Sequence, residues 1–429
     1  MIDWDFIKAV VRFSGNITSN CFHGKITPYG GFMTKVWKKG LLATACLVTS
    51  MAATAQNTAI NWDDVLQHAK GETVYFNAWG GNEATNQYLV WAAEQVQDQY
   101  GVTLEVVPIS DIKDTIRRIE TEVAAGKADN GSVDLVWING ENFAALKKQG
   151  LLLEGWAQQL PNWQYVDLSK PVEKDFSLPT DGAEAPWGGA QLTFIGNRDT
   201  LAEPLTSPQA LLAYAQDHQG MLSYPRPPDF TGTTFLKQLM LSLAEDPAAF
   251  EQAPQDTDAE ALTAPLWAYL DQLHPLLWRE GKAFPTSPSE MDRMLGDGEL
   301  AMSITFNPLH AQNQVQSGKL PESVYTFGFA DGMIGNVHFV AIPRNASNAD
   351  GAMVVANFLL SPQAQAHKAD VSVWGDPTVL DANKLEGGEQ AALKAASPSE
   401  ASQVPVISEP NAAWMDWLRE QWTQRYGAS

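Results

Sequence analysis

From residue 73 onward the spacing of apolar positions switches between two and about 3.6 residues, the signature of strands alternating with helices. Thr73-Val74-Tyr75-Phe76 is a short β-rich run that ends in Asn77-Ala78-Trp79-Gly80-Gly81. Over 82–100 the residues Tyr88, Trp91, Ala92 and Val96 keep helical spacing, and Gly101 stops the helix. Residues 102–107 read as a second strand, 109–125 as an amphipathic helix carried by Ile112, Ile116 and Ile119, and 133–138 as a third strand. Asn139-Gly140 then turns into a helix over 141–149 that Gly150 ends, as a glycine past the last turn commonly does. This β-α-β-α-β order predicts a parallel sheet covered on both faces, with ligands off the carboxyl ends of its strands. Residues 77–81 and 139–142 therefore belong to one edge of one crevice.

The alternation continues less regularly. A second α/β region is expected over 192–326, with Pro and Gly clusters at 223–232 and 284–289 and no sequence repeat linking it to the first. Residues 337–342 read as a strand and 350–360 as a compact apolar helix closed by Ser361-Pro362. The stretch 386–404 is rich in Ala, Ser, Glu and Gly and carries one weak helix. In the last helix, 411–426, Trp414, Leu418 and Trp422 share a face, which reads as docking onto a core.

Ahead of the alternating region stands a different pattern. Lys35, Lys38 and Lys39 precede an apolar run over 40–52 and then Ala53-Thr54-Ala55, the three parts of a secretory signal cleaved after Ala55. The run is shorter than the roughly 20 residues of a membrane helix, and no later stretch approaches that length. Signals start close to their lysines, so 33–55 reads as the signal peptide, with Met33 as the start, and 1–32 as an upstream extension. Cys46 follows too few apolar residues to suit a lipoprotein. Cys21 and Cys46 are the two cysteines of the chain, so a protein beginning at Gln56 has no thiol.

That mature chain keeps 22 of the 28 basic and 48 of the 50 acidic residues, a net charge of −26. Such a surface repels phosphate backbones and argues against nucleic acid as a partner. Its roughly 374 residues exceed what one hydrophobic core holds, which predicts two lobes. The usual catalytic signatures are missing: there is no G-x-S-x-G, H-E-x-x-H, phosphate-binding loop or Cys-His cluster. The histidines at 68, 218, 274, 310, 338 and 367 show no metal-ligand spacing, and no cofactor is implied. Paired carboxylates for glycoside hydrolysis stay open, since distant strands can supply them. Aromatic and polar residues gather instead at strand ends and loops: Trp79, Asn139, Glu141, Trp187, Tyr224, Asp229 and Trp374. Rings of this kind give area and cation-attracting faces in a small-molecule cleft, and the amides and carboxylates give orientation. Trp91 and Trp137, inside a helix and a strand, read as core.

Several segments together resemble the extracellular solute-binding proteins of ABC importers, of the type II periplasmic-binding-protein fold, in the YnjB-like branch. They are Tyr75 through Gly81, Val133 through Phe143 with 146–152, Ala185-Pro186-Trp187-Gly188, Gly298-Glu299-Leu300-Ala301-Met302, Ala341-Ile342-Pro343, 357–365 and Gly375-Asp376-Pro377. They span nearly the whole mature chain in the family's order. The resemblance implies an α/β protein of two lobes with a ligand cleft between them, closing about a hinge to present a small-molecule solute to a permease and ATPase. It puts the first crossing near 188–194, the return near 327–336, and the lobes at 56–188 with 328–372 and at 189–327 with 373–429. By position, lobe 1 offers Asn77, Trp79, Gly80, Asn139, Glu141 and Trp187. Lobe 2 offers Tyr224, Asp229 and Thr231, with His338 on the return strand and Trp374 beyond it. Thr231-Gly232-Thr233 resembles a helix start whose N–H groups either hold an anion or are simply capped. Polyamine-binding relatives carry an acid where this chain has His338, and ferric-ion relatives a tyrosine pair that this chain lacks. Aromatics with a few acids suit a cationic ring-bearing solute such as thiamine, and equally a sugar. The reading is a monomeric, non-enzymatic periplasmic receptor; the alternative is a secreted acidic hydrolase acting on polysaccharides.

Overall fold

In the computed structural model, residues 59–396 and 404–427 are described. The expected signal peptide, its expected cleavage site and the expected upstream extension lie outside them. After α1 (Trp62–Ala69) come β1 (Thr73–Trp79), α2 (Glu83–Tyr100), β2 (Thr103–Ile109), α3 (Ile112–Ala124), β3 (Leu135–Ile138) and α4 (Gly140–Lys148). β1 pairs in parallel with both β2 and β3, as the alternating pattern requires. Helix starts are set by short polar side chains: Asn82 accepts from the Thr85 N–H and Asp111 from the Lys113 N–H. α2 ends on Gly101 at φ 68°, in the left-handed region that suits glycine. Its buried residues, Tyr88, Leu89, Ala92 and Val96, follow the face expected from their spacing.

A two-residue hairpin, β4 (Lys174–Asp175) and β5 (Leu178–Pro179), leads to β6 (Glu184–Gln191). The chain then crosses at Leu192 into β7 (Thr193–Asn197), the centre of a separate antiparallel sheet flanked by β8 (Met302–Thr305) and β9 (Val324–Phe327). Between β7 and the return strand this second lobe carries α5 (Pro208–Asp217), α6 (Phe230–Leu243), α7 (Ala259–Leu273), α8 (Pro288–Gly296) and α9 (His310–Gln316). β10 (Met333–Ala341) returns to the first sheet, antiparallel to β6 on one side and β3 on the other. The first sheet therefore runs β2-β1-β3-β10-β6. α10 (Ala349–Leu359), α11 (Pro362–Ala369) and α12 (Gly387–Ala396) follow. β11 (Val406–Ile407) lies beside the start of β10, and α13 (Ala413–Tyr426) ends the description.

Two large buried cores bear out the expectation of two lobes. One gathers Val74, Phe76, Tyr88, Trp187 and Phe339; the other gathers Phe194, Leu236, Leu270 and Ile304. Trp414, Leu418 and Trp422 bury in the second, so α13 docks as its spacing predicts. The expected boundary at 373 needs correcting. Trp374, Val379, Leu380, Leu385 and Leu393 join the first core. The segment seals that lobe's edge, with Gly189 N donating to Pro377 O at 2.8 Å and Asp167 N to Val379 O at 2.9 Å. Lobe 1 thus continues to residue 396, and only 404–427 return to lobe 2.

The strands that cross are held by buried polar groups. Leu192 N donates to Ile334 O at 2.8 Å, and Gln238 of α6 accepts from Ile334 N and donates to Gly332 O. Asn336 on the return strand donates to Glu409 Oε1 at 3.0 Å, while Glu409 Oε2 pairs with Lys237 of α6. Both partners of that ion pair are only 1% exposed. Removing one member of a buried pair strands the other charge in a low dielectric, which costs about 3–5 kcal/mol. Glu409→Ala is therefore expected to lower the urea-unfolding free energy by that order, and the double change Lys237→Met with Glu409→Leu to recover most of it; an unchanged midpoint for Glu409→Ala contradicts this.

Candidate functional site

Between the lobes lies a cavity of about 550 Å³, open to solvent, at the carboxyl ends of β1 and β3. Trp79, the last residue of β1, is 40% exposed and lines it, as do Trp137 and Asn139 at the end of β3. Asn139 precedes α4 without capping it, since its side chain makes no hydrogen bond to the helix. Gly140 follows at φ 59°, and a Cβ there meets the Phe176 ring at 2.6 Å, so only glycine lets the chain turn from strand to helix here. Its N–H donates to Asp175, whose carboxyl burial pushes well above the usual range. The turn places Glu141 in the first turn of α4, facing Arg419 of α13 across the cleft at 3.0 Å.

The opposite wall comes from lobe 2. Asp229 caps α6 by accepting from Gly232 N at 2.8 Å, and Phe230, Thr231, Phe306 and His310 line the cavity beside it. Burial pushes the Asp229 carboxyl up to about 6, against the pull of the Gly232 and Thr231 N–H groups and of Arg419. The α6 start thus answers the choice left open by its sequence: its N–H groups are capped by the chain's own carboxylate. Asp292 is likewise occupied, accepting from Ser303 Oγ at 2.6 Å and pairing with His310 at 2.7 Å.

At the back, His338 Nε2 lies 3.2 Å from Asp376, whose other oxygen pairs with the fully buried Lys368. Burial alone raises the Asp376 carboxyl, but Lys368 and His338 hold it below the usual carboxylate range. Gly188 makes room for this cluster, since a Cβ there falls 2.2 Å from Asp376 Oδ2. Trp374 lines the cavity, and behind it Trp187 is fully buried, with ring centroids 4.7 Å from Trp137 and 5.6 Å from Trp374.

Of the residues singled out by sequence, Trp79, Asn139, Glu141, Asp229, Thr231, His338 and Trp374 meet around this cavity. Four do not reach it. Asn77 stands two residues before the strand end, fully buried, and donates to Thr115 Oγ1 of α3 at 3.1 Å. Gly80 is a close approach to Pro108, its N–H donating to Ile109 O. Trp187 backs the aromatic wall from within the core. Tyr224 is buried in lobe 2, where it accepts from Trp422 Nε1 and bonds His274 Nε2, both at 2.8 Å. Conversely, Trp137, read as core, is half-buried and faces the cavity. Asn336 and the Phe230–Phe306 pair carry no signal in the sequence pattern; the single cue for Arg419 is that it lies off the docking face of its helix.

The lobes also touch around the rim. Lys113 of α3 pairs with Asp416 of α13 at 2.7 Å, Lys319 pairs with Glu83, and Ser289 Oγ donates to Gly81 O at 3.2 Å.

A family model described as bacterial extracellular solute-binding protein matches residues 91–394. Protein YnjB of Escherichia coli (strain K12) is 53% identical over 391 residues, 91% of this chain and 98% of that protein. Among solved structures, the Tp0655 (TpPotD) lipoprotein of Treponema pallidum superposes with a TM-score of 0.59 at 16% identity, over 82% of this chain and 99% of that one. The periplasmic binding protein AfuA from Actinobacillus pleuropneumoniae, with fructose-6-phosphate bound, gives 0.58 at 15% identity, over 83% and 99%. These structural neighbours share the two-lobed type II fold.

Two outcomes follow from this geometry. His274 accepts from Tyr224 only when neutral, and burial pushes its pKa down from 6.5 to about 4. The stability it contributes is full above about 6.5 and is lost as pH falls toward 4; His274→Gln is expected to flatten that part of the melting-temperature profile, and an unaltered profile contradicts it. Exposed ion pairs contribute about 0.2–1 kcal/mol each. Lys113→Glu should therefore shift the open-to-closed ratio several-fold toward open in small-angle scattering, and adding Asp416→Lys should restore it.

Proposed function

The chain belongs to the bacterial extracellular solute-binding protein family and serves as the solute-binding component of an ABC importer; from that premise, we propose that the inter-lobe cavity captures a small polar organic solute and that lobe closure hands it to the permease. The observation that carries this reading is the cavity itself. It lies at the carboxyl ends of parallel strands, where α/β sheets hold ligands, and both lobes contribute its walls. Trp79, Trp137 and Trp374 from lobe 1 oppose Phe230 and Phe306 from lobe 2, so a ring-bearing solute meets aromatic area on both sides only when the lobes come together. A solute that prefers the closed arrangement shifts the population toward it.

The mature protein in this reading begins at Gln56, works as a monomer in the periplasm, and has a membrane permease and an ATPase as partners. It binds without turnover. A polysaccharide hydrolase needs one carboxyl group free to donate a proton and a second free to act as base or nucleophile. Here Asp292 is held by His310 and Ser303, Asp376 by Lys368 and His338, Glu141 by Arg419, and Asp111 and Asp229 cap helices. Solute class is not fixed by the fold, because AfuA, whose structure holds fructose-6-phosphate, shares it at 15% identity.

Solute present at 100 times its dissociation constant adds about 2.7 kcal/mol of stability, a readable rise in melting temperature. A screen against thiamine, sugars, polyamines and oxyanions is expected to give one strong rise, which Trp79→Ala diminishes by weakening affinity at least tenfold while leaving the unliganded melting point in place. Equal affinity in Trp79→Ala, or a collapse of its unliganded stability, contradicts the site.

A further inference from the structure

We infer that the solute carries an oxyanion, a phosphate or carboxylate group, and that Arg226 is the residue that takes it. The inference deepens the proposed function and rests on the inter-lobe cavity being the solute site. Arg226 lines that cavity from lobe 2, in the segment that leads into α6. Its side chain is exposed, so a solute in the cavity meets it directly. Its backbone is held in place: Arg226 N donates to Pro285 O at 3.2 Å, and Arg226 O accepts from Asp229 N at 3.1 Å. Among the described residues its guanidinium has neither an ion-pair nor a hydrogen-bond partner.

The other charged side chains of the walls are engaged with the protein itself. Lys113 pairs with Asp416 at 2.7 Å, Arg419 with Glu141 at 3.0 Å and Asp292 with His310 at 2.7 Å, while Asp376 is held by Lys368 and His338. Asp111 accepts from Lys113 N at 2.9 Å and Asp229 from Gly232 N at 2.8 Å. The sequence suggested a cationic solute because acids gather here, yet each of these acids already has a donor of its own. Arg226 stands apart as a wall charge with no counterpart, and in a chain this acidic that charge is positive. A guanidinium offers its N–H groups as a planar fork, which matches a carboxylate or phosphate with two parallel hydrogen bonds. A neutral hydroxyl accepts from the same fork without matching its charge, and charge-assisted bonds are roughly twice as strong as neutral ones. Closure sharpens the preference. As the lobes come together water leaves the cavity, and drawing water from an unpaired charge is costly. An oxyanion seated on Arg226 removes that cost, so the closed arrangement favours the loaded receptor.

The test is a thermal-shift titration of the protein from Gln56 onward with three matched pairs: glucose and glucose 6-phosphate, thiamine and thiamine monophosphate, nicotinamide and nicotinate. The low-molecular-mass fraction of a periplasmic extract is titrated beside them, before and after passage over a strong anion-exchange resin. The untreated extract and the anionic member of at least one pair are expected to raise the melting temperature, and the resin-treated extract is not. Arg226→Gln is expected to weaken the response about tenfold or more with its unliganded melting temperature unchanged, and Arg226→Lys, which keeps the charge and loses the fork, to recover part of it. If no pair responds, the extract decides alone. A response to the neutral members only, an extract as active after the resin as before, or a response that Arg226→Gln leaves intact overturns the oxyanion and leaves the receptor reading in place. No response to the pairs or to the extract overturns both.

Discussion

The passage of the chain between its two lobes is the constraint on which the remaining structure depends. Strands that cross through the interior carry polar backbone with them, and every buried N–H and C=O there must be paired. Gln238 serves both Ile334 N and Gly332 O, Gln191 Nε2 reaches Pro405 O at 3.2 Å, and Met333 N donates to the same carbonyl at 2.9 Å. The Lys237–Glu409 pair and Asn336 close the set. These buried bonds tie the crossing segments together, while each lobe keeps its own core.

The cleft inherits its character from that arrangement. The return strand enters the first sheet next to β3, bringing His338 alongside Trp137 at 5.2 Å between ring centroids and leaving Asn336 at the floor. Helices α3 and α6 begin at the cleft with an N–H of each held by its own capping aspartate, whereas α4 begins there without a side-chain cap. Aromatic rings from both lobes form much of the cleft wall. Rim contacts such as Lys113–Asp416 lie between groups 41% and 55% exposed and are worth little individually. Weak rim pairs with a strong interior hinge suit a receptor that must both close on its solute and release it.

Much of lobe 1 was legible because its elements obey local rules. The β-α-β-α-β order, the stop at Gly101 and the docking face of α13 all follow from periodicity and glycine placement. The cleft was legible only where a residue ends a strand: Trp79 and Asn139 emerge, whereas Asn77, on the same face of β1 two positions earlier, is covered by α3 through Thr115. Trp137 misleads for the converse reason, since a β-strand buried along its length gives no sign that its last turn of side chains opens onto a cavity. Tyr224 and Trp187 are tertiary matters; each lies near the cleft in sequence order and is turned inward by partners far along the chain, Trp422 and His274 for the first and Tyr88, Trp137 and Trp374 for the second. Arg419 reaches the site from the last helix, far along the chain from most other lining residues.

Closure about the hinge on capturing a solute is the claim to test most directly. The protein from Gln56 onward has no cysteine, so spin labels at Asp98→Cys in lobe 1 and Glu245→Cys in lobe 2, both exposed positions, report one inter-lobe distance by pulsed electron resonance. Adding the low-molecular-mass fraction of a periplasmic extract is predicted to narrow the distance distribution and move it to the closed value, reversibly on dialysis. A distribution that is the same with and without the extract would contradict the account.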